Sequence, residues 1–393
     1  MPKGVAPLSG MRIIDFTSMV AGPFGTRMLA DCGAEVVKIE PLAGDYFRHR
    51  SPIRNGRSSY FGHMNCGKKS LALDLKSERG RNIARKLIAT ADVVVENYRP
   101  GVMHEFGLGY EDLKDEFPDL VYCSISGFGQ TGSRAREPAY APMIHAASGL
   151  DLTHMWYNKH LERPPNMSAA VADIFVAVYA FGAIQTALLN RERHGGGEHI
   201  DVALLPSALS LLVYEFQSAQ FPKEEVFRPI YAPSKAKDGF VVVVPANQAN
   251  FEKLMDAIGH PEFKTDARFA TARGREEHWD ELMAKVEEWT QERPAALCED
   301  ILMRAGVPTS RYKPVEELVA DEEFRTDGTY ATVTDGSGEY LVPNQPFKFS
   351  SAKVEAARWV SDLGADRMEL LRGIGLSDAD IEQLGADRVI VGQ

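Results

Sequence analysis

Over the first third of the chain, short apolar runs alternate with amphipathic stretches. Residues 12–16 (Arg-Ile-Ile-Asp-Phe), 35–39, 70–74, 93–95 and 120–126 are rich in Ile, Val and Leu and are bounded by glycine, serine or charged residues, as buried strands are. Between them the period is helical. One helix is predicted from near Pro23, a residue suited to a first turn, to Cys32-Gly33. Another is capped by Ser77 and runs to Thr90, with Ile83, Ala84, Leu87 and Ile88 on its inner face. Strands separated by roughly 10–15 helical residues make parallel βαβ units. The pattern therefore predicts an α/β fold, a large open parallel sheet of Rossmann-like type with helices on both faces.

The stretch 164–193 reads as a helix that is apolar on nearly every side, and such a helix is buried. It carries one carboxylate close to its start. Asp173 shares a stripe with Val176, Ala177, Ala180, Phe181 and Ile184. Either Asp173 caps the helix, where free N–H groups favour a carboxylate, or it is a nucleophile kept in a dry pocket. A helix over 140–150 precedes this stretch, and a strand over 199–202 and a helix over 204–219 follow it. Near Gln220 the texture changes to a linker, Phe221-Pro-Lys-Glu-Glu and Arg228-Pro-Ile-Tyr-Ala-Pro-Ser-Lys. Beyond it come strands at 239–244 and 308–312 and helices at 248–258, 276–291 and 294–305, a smaller α+β domain. A hairpin, 329–334 with 340–342, turns across Asp335-Gly-Ser-Gly, and a helix at 379–384 leads to an apolar end. The expected division is a large domain, 1–220 completed by 335–393, and a small domain with its linkers, 221–334.

Composition narrows the function. The 393 residues are 44% hydrophobic and 25% charged, as in ordinary soluble proteins, and the net charge of −11 disfavours nucleic acid and anionic membrane surfaces as partners. The four cysteines form no C-x-x-C pair and the ten histidines no H-x-x-x-H, so no metal site is expected. The N-terminus lacks a signal-peptide apolar region. The run at 170–189 approaches membrane-spanning length, but Asp173, Gln185 and its single occurrence favour a core helix; the expectation is a soluble, cytoplasmic protein. The loop after the first strand, Ser18-Met-Val-Ala-Gly-Pro-Phe-Gly, is not G-x-G-x-x-G, and Cys66-Gly-Lys-Lys-Ser lacks the upstream glycine of a P-loop. Ser126 lacks the preceding glycine of a nucleophile elbow. What remains is the set of residues at the carboxyl ends of the strands, where open α/β sheets bind ligands. Ser18–Ala21, Leu73–Lys76 and Asn97-Tyr98-Arg99 offer backbone N–H groups, an amide, an aromatic face and cations, which suit an adenine- and phosphate-bearing ligand.

Seven blocks in sequence order carry a resemblance. They are Phe16-Thr-Ser-Met-Val-Ala-Gly-Pro; Leu29-Ala-Asp-Cys-Gly-Ala-Glu-Val-Val-Lys-Ile-Glu-Pro with Gly44-Asp45; Asn65-Cys-Gly-Lys-Lys-Ser-Leu-Ala-Leu-Asp-Leu-Lys; Ala91-Asp-Val-Val-Val-Glu-Asn-Tyr-Arg-Pro-Gly; Ser124-Ile-Ser-Gly-Phe-Gly-Gln-Thr-Gly; Pro138-Ala-Tyr; and Val171-Ala-Asp. The chain resembles the class III CoA-transferases, the CaiB/BaiF and formyl-CoA transferase group, from about residue 8 to 215 and more weakly to Pro346-Phe-Lys-Phe-Ser.

The resemblance implies that Asp173 is the catalytic carboxylate, attacking an acyl-CoA thioester to give an anhydride and then an aspartyl-CoA thioester that a carboxylic acid consumes. It places CoA, a substrate rather than a tightly bound cofactor, along Val20, Ala21, Leu73, Asp74, Leu75, Lys76, Asn97, Tyr98 and Arg99, with Tyr140 near the thioester. It also implies an interlocked homodimer. The chain departs from formyl-CoA transferases in carrying Glu105 where they have an arginine, and in having no glycine run within 230–238. Two alternatives stand beside this reading: an α-methylacyl-CoA racemase, which pairs its aspartate with a histidine where Tyr140 stands here, and a non-catalytic CoA-binding module. Tyrosine is a poor general base at neutral pH and favours the transferase. Arg54, Arg57, Arg134 and Arg136 are candidate partners for the acceptor carboxylate.

Overall fold

The computed structural model describes residues 4–158, 160–166, 169–221 and 230–392. The expected linker falls largely on 222–229, outside the described residues. Contacts divide the chain into two units, Met1–Phe216 with Glu323–Gln393, and Gln217–Glu322.

The first unit holds six parallel strands, Arg12–Asp15, Glu35–Glu40, Lys68–Leu73, Val93–Glu96, Val121–Ser126 and Glu198–Ala203. Counted along the chain, their spatial order is third, second, first, fourth, fifth, sixth. This is the doubly wound order of dinucleotide-binding folds. A seventh strand, Ile390–Val391, runs antiparallel beside the third and pairs Ile390 with Leu73.

Alternate residues of each strand enter opposite cores. Ile13, Val36, Val93, Val95 and Cys123 face one side with Ala180 and Ile184 of the helix Val171–His194. Ile14, Val37, Leu71, Val94 and Tyr122 face the other with Ile83 and Leu87 of the helix Glu78–Ile88 and with Leu370 and Ile381 near the C-terminus. Each fully buried Ile, Leu or Val contributes roughly 1.5–3 kcal/mol relative to exposure. Burial on both faces explains why these strands read as continuous apolar runs. The helix Ala21–Asp31 packs on the long helix through Gly25, where a Cβ would stand 3.3 Å from the Ala177 carbonyl oxygen.

Several elements differ from the sequence pattern. The long helix begins at Val171 rather than near Pro164. The expected helix over 140–150 spans Ala141–Ser148 and stops at Gly149, whose φ of +84° only glycine adopts without strain. A separate helix, Leu150–Tyr157, follows. The stretch 204–219 splits into Leu204–Leu209 and Val213–Ser218, with the Ser207 and Ser210 hydroxyls donating to carbonyls of the preceding turn near the break. Both hairpin strands, Tyr330–Asp335 and Gly338–Pro343, lie in the first unit, so the division falls before the hairpin and not within it at 334/335. Their full six-residue pairing and the burial of Val333 and Val342 with Cys66 tie them there.

The third strand starts at Lys68, two residues before the apolar run, because Lys68 is itself buried. Its ammonium lies 3.0 Å from the Asp15 carboxylate and donates to the Pro23 carbonyl, the Thr26 hydroxyl and the Asn65 side chain. Beside it, buried Lys38 pairs with Asp45 at 3.0 Å and donates to the Thr17 carbonyl at 2.7 Å. Burial raises the Asp15 carboxyl, but Lys68 and Lys38 more than offset this and hold it at about 2, while burial draws Lys68 down to about 8.

The second unit holds a three-stranded antiparallel sheet, with Gly239–Val243 between Ser234–Ala236 and Thr309–Arg311. Val241 and Val243 pack against Phe251, Leu254, Val286 and Leu302 from three helices, Gln248–Ile258, Trp279–Gln291 and Ala295–Arg304.

Removing one member of a buried ion pair strands the other. Lys68→Met is expected to lower the unfolding free energy by about 3–5 kcal/mol in urea titrations at pH 7. Adding Asp15→Leu should recover much of that loss; a single-variant loss below about 1 kcal/mol would show that the pair is not what holds this corner.

Candidate active site

The first and fourth strands are neighbours, and their connections leave toward opposite edges of the sheet. The crevice between their carboxyl ends is the topological switch point where open sheets bind ligands. Asn97 closes its floor: its side-chain oxygen accepts from the Ser18 N–H and its amide donates to the Ser18 carbonyl, both at 2.9 Å. Met19 then takes a left-handed backbone, φ +69°, an uncommon conformation for a residue with a side chain. Its N–H donates to the Asp45 carboxylate at 3.2 Å. This loop N–H is therefore bound by a protein carboxylate, the physical counterpart of the missing glycine fingerprint.

A cavity of about 850 Å³ opens over this crevice. Val20, Ala21, Asn97, Tyr98, Arg99, Tyr140 and Asp173 all line it, so seven of the residues singled out above meet in one place. Val20 and Ala21 form a buried wall, Arg99 is exposed, and the Tyr140 ring is 55% exposed. Leu73, Asp74, Leu75 and Lys76 do not line it. They follow the third strand, which the second separates from the first; Leu73 and Leu75 point into the core, and Lys76 is exposed.

Asp173 is the third residue of its helix. The residue at the cap position is Ala170, so Asp173 is not the cap. No hydrogen bond or ion pair engages its carboxylate among the described residues. Burial pushes its pKa up from 3.8 to about 6, outweighing the preference of a helix N-terminus for an anion. At pH 7 the ionised form still leads by about ten to one.

Three neighbours were not legible as site residues. His145 is buried in the helix Ala141–Ser148, but it also lines the cavity, and its Nε2 accepts from the Ala172 N–H at 3.1 Å, which satisfies a free donor of the first turn. Tyr60, on the helix Ser59–Asn65, lines the cavity too, and burial and the Asp173 charge raise its phenol above its ordinary pKa. Arg50 lines the same cavity.

The four candidate arginines are elsewhere. Arg54 pairs with Asp335 at 3.6 Å, Arg57 pairs with Asp362, and Arg134 pairs with Glu137 at 3.0 Å. Arg136 is exposed and does not line the cavity. Among the described residues no group of three or more His, Cys, Asp or Glu is placed to hold a metal ion.

The site thus combines a doubly wound sheet, a first loop without the dinucleotide glycine fingerprint, and a half-buried carboxylate without an ion pair among the described residues. The chain belongs to CoA-transferase family III, whose family model matches residues 8–367. It is 36% identical over 360 residues to an acetyl-CoA:oxalate CoA-transferase of Acetobacter aceti, covering 89% of this chain and 90% of the relative. It is 32% identical over 396 residues to a succinyl-CoA:glutarate CoA-transferase of Mus musculus, covering 98% and 90%. The crystal structure of a CAIB/BAIF family protein from Brucella suis superposes with a TM-score of 0.80 at 31% identity, covering 94% of this chain and 100% of that one.

The raised pKa makes the ionised Asp173 a cost to folding. Its protonated form favours the folded state, so that contribution is complete below pH 4 and is lost as pH rises through about 6. Asp173→Asn is therefore expected to change stability little at pH 4 and to stabilise by on the order of 1–2 kcal/mol at pH 7, after solvent screening. Thermal unfolding of both proteins across this range checks the sign; an Asn variant less stable at pH 7 than at pH 4, relative to the parent, contradicts it.

Proposed function

We propose that the protein moves CoA from an acyl-CoA thioester to a carboxylic acid with Asp173 as nucleophile. The observation that carries this reading is an unpaired carboxylate with a pKa of about 6 in the wall of the switch-point cavity. An Asp173 oxygen attacks the thioester carbonyl carbon, the C–S bond breaks, and CoA leaves as its thiolate. The thiolate then attacks the Asp173 carbonyl of the mixed anhydride, releasing the donor acid and leaving an aspartyl-CoA thioester. The acceptor carboxylate repeats the cycle in reverse and restores the Asp173 anion. No net proton is consumed, so no acid–base partner is required. Burial favours each step by stripping water from the attacking carboxylate and by limiting hydrolysis of the anhydride.

Val20 and Ala21 supply an apolar wall for the pantetheine arm, while Asn97, Tyr98 and Arg99 supply polar and cationic groups for the phosphates. Leu73–Lys76, farther along the same edge of the sheet, are offered to the adenosine end. Oxalate and glutarate, named for the relatives above, are dicarboxylic acids, and we assign the acceptor to that class. A racemase needs a second proton carrier near Asp173. The aligned position holds Tyr140, and His145 has its Nε2 committed to Ala172.

Incubation with an acyl-CoA alone is expected to give an Asp173 adduct, seen by intact mass and trapped by hydroxylamine. Its rate of formation should fall about tenfold per pH unit below 6, as the nucleophile is protonated. Exchange of the α-proton with solvent in the absence of an adduct would support the racemase instead.

We further propose the homodimer that the family resemblance implies. Val178, Tyr179 and Leu189 on the long helix are exposed apolar residues that a second copy would cover. Light scattering after size-exclusion chromatography should give twice the 43.4 kDa chain mass, and a monomer at micromolar concentration would refute it.

A further inference from the structure

We propose that Arg50 determines acceptor specificity by binding the distal carboxylate of a dicarboxylic acid whose proximal carboxylate meets Asp173. The assignment rests on the transferase reading above.

The lining of the catalytic cavity contains two arginines, Arg50 and Arg99. Neither makes a side-chain hydrogen bond or ion pair among the described residues. The arginines that neighbour Arg50 in sequence are all engaged: Arg48 with Glu40, Arg54 with Asp335 and Arg57 with Asp362. The Arg50 guanidinium has only the ring of Tyr46, 5.3 Å away, and is otherwise exposed. A cation without a counter-charge in a reaction cavity is available to an anionic substrate group.

Its surroundings separate it from the CoA phosphates. Arg99 follows Asn97 and Tyr98 at the switch point, whereas Arg50 follows the turn whose Phe47 ring stands 4.6 Å from the Tyr60 ring, and Arg50, Tyr60 and Asp173 line one cavity. Arg50 and Asp173 act on that phenol with opposite sign, the cation lowering its pKa and the anion raising it. The pantetheine arm holds the reacting sulfur well away from the phosphates, so a cation whose charge is felt at Tyr60 together with that of Asp173 is poorly placed to bind them. It is well placed for the far end of a short acid. Guanidinium and carboxylate match as two parallel N–H···O bonds, which fixes the acid's direction as well as its charge.

The backbone that carries Arg50 is fixed. Its N–H donates to the Phe47 carbonyl at 3.2 Å and its carbonyl accepts from the Ser58 hydroxyl at 2.6 Å. The turn Tyr46–His49 before it is capped by Asp45, which accepts from the Phe47 N–H at 2.9 Å and is paired with buried Lys38. Only the side chain is left to adapt to the acid.

The test is competition between acids of equal chain length, glutarate against pentanoate and succinate against butanoate, with acetyl-CoA as donor. The unaltered protein should prefer the dicarboxylic acid. Arg50→Gln should reduce the ratio of the two kcat/KM values by about 10–100-fold, mostly through a higher KM for the dicarboxylic acid, with Arg50→Lys intermediate. The half-amide of glutarate, offered to the unaltered protein, should lose a similar factor, so the outcome does not depend on a variant folding. An unchanged ratio in Arg50→Gln, or a half-amide used as well as glutarate, overturns the assignment while leaving the transferase reading intact. If the unaltered protein forms no Asp173 adduct and transfers no CoA, the transferase reading fails and the Arg50 assignment falls with it.

Discussion

Two dry lysines hold the ligand-binding end of the sheet in one conformation. Lys38 and Lys68 stand on adjacent strands with almost no exposure, and each must keep a carboxylate within reach. Their partners, Asp15 and Asp45, are also ligands of the first loop. Asp15 accepts from the Thr17 N–H at 2.8 Å and from its hydroxyl at 2.5 Å, and Asp45 accepts from the Met19 N–H. Displacing the loop would leave a buried ion without its partner, a loss of several kcal/mol. The pairs need not add net stability over an apolar core of equal shape. They restrict the alternatives, and a left-handed Met19 persists because its surroundings determine it.

The same constraint reaches the chemistry through short covalent paths. Asp45 starts the turn that ends at Arg50, and the loop it holds runs directly into Val20 and Ala21 of the cavity wall. Asn97 fastens this loop to the fourth strand and so fixes the width of the crevice. From the other side, the close approach at Gly25 sets the long helix, and with it Asp173, against the helix that begins at Ala21. The cavity is thus built from segments far apart in sequence whose positions share one set of buried contacts.

That sharing explains what could be read in the sequence. Strands buried on both faces announce themselves as apolar runs, and the βαβ spacing follows from them. A two-residue strand such as Ile390–Val391 has no period to detect, and the strand order that places Leu73–Lys76 beyond the second strand leaves no local trace. Asp173 stood out because a charge on an apolar helix is rare, although the cap position turned out to be held by Ala170. The arginines were not separable by type. Arg54, Arg57 and Arg134 are excluded only by Asp335, Asp362 and Glu137, and two of these partners lie nearly 300 residues away in the chain or more. Arg50 and Arg99 line the cavity with no such partner among the described residues. Lys38 and Lys68 are charged residues in or beside apolar runs, and that mismatch is the one signal that could have revealed the network.

As the proposed nucleophile, Asp173 would face two opposing requirements. A carboxylate attacks faster when water is stripped from it, but the same desolvation drives it to take up a proton. With a pKa of about 6 it is more basic than a solvated carboxylate and still ionised at neutral pH. Deeper burial would protonate it, and full exposure would return its hydration shell. The helix start works against desolvation by favouring the anion, while His145 satisfies the neighbouring Ala172 N–H so that this end of the helix needs no water there. A direct ion pair to Asp173 would lower its pKa and weaken it as a nucleophile. Among the described residues neither cavity arginine, Arg50 or Arg99, makes a salt bridge to Asp173, which leaves the carboxylate unpaired, as the proposed nucleophilic role requires.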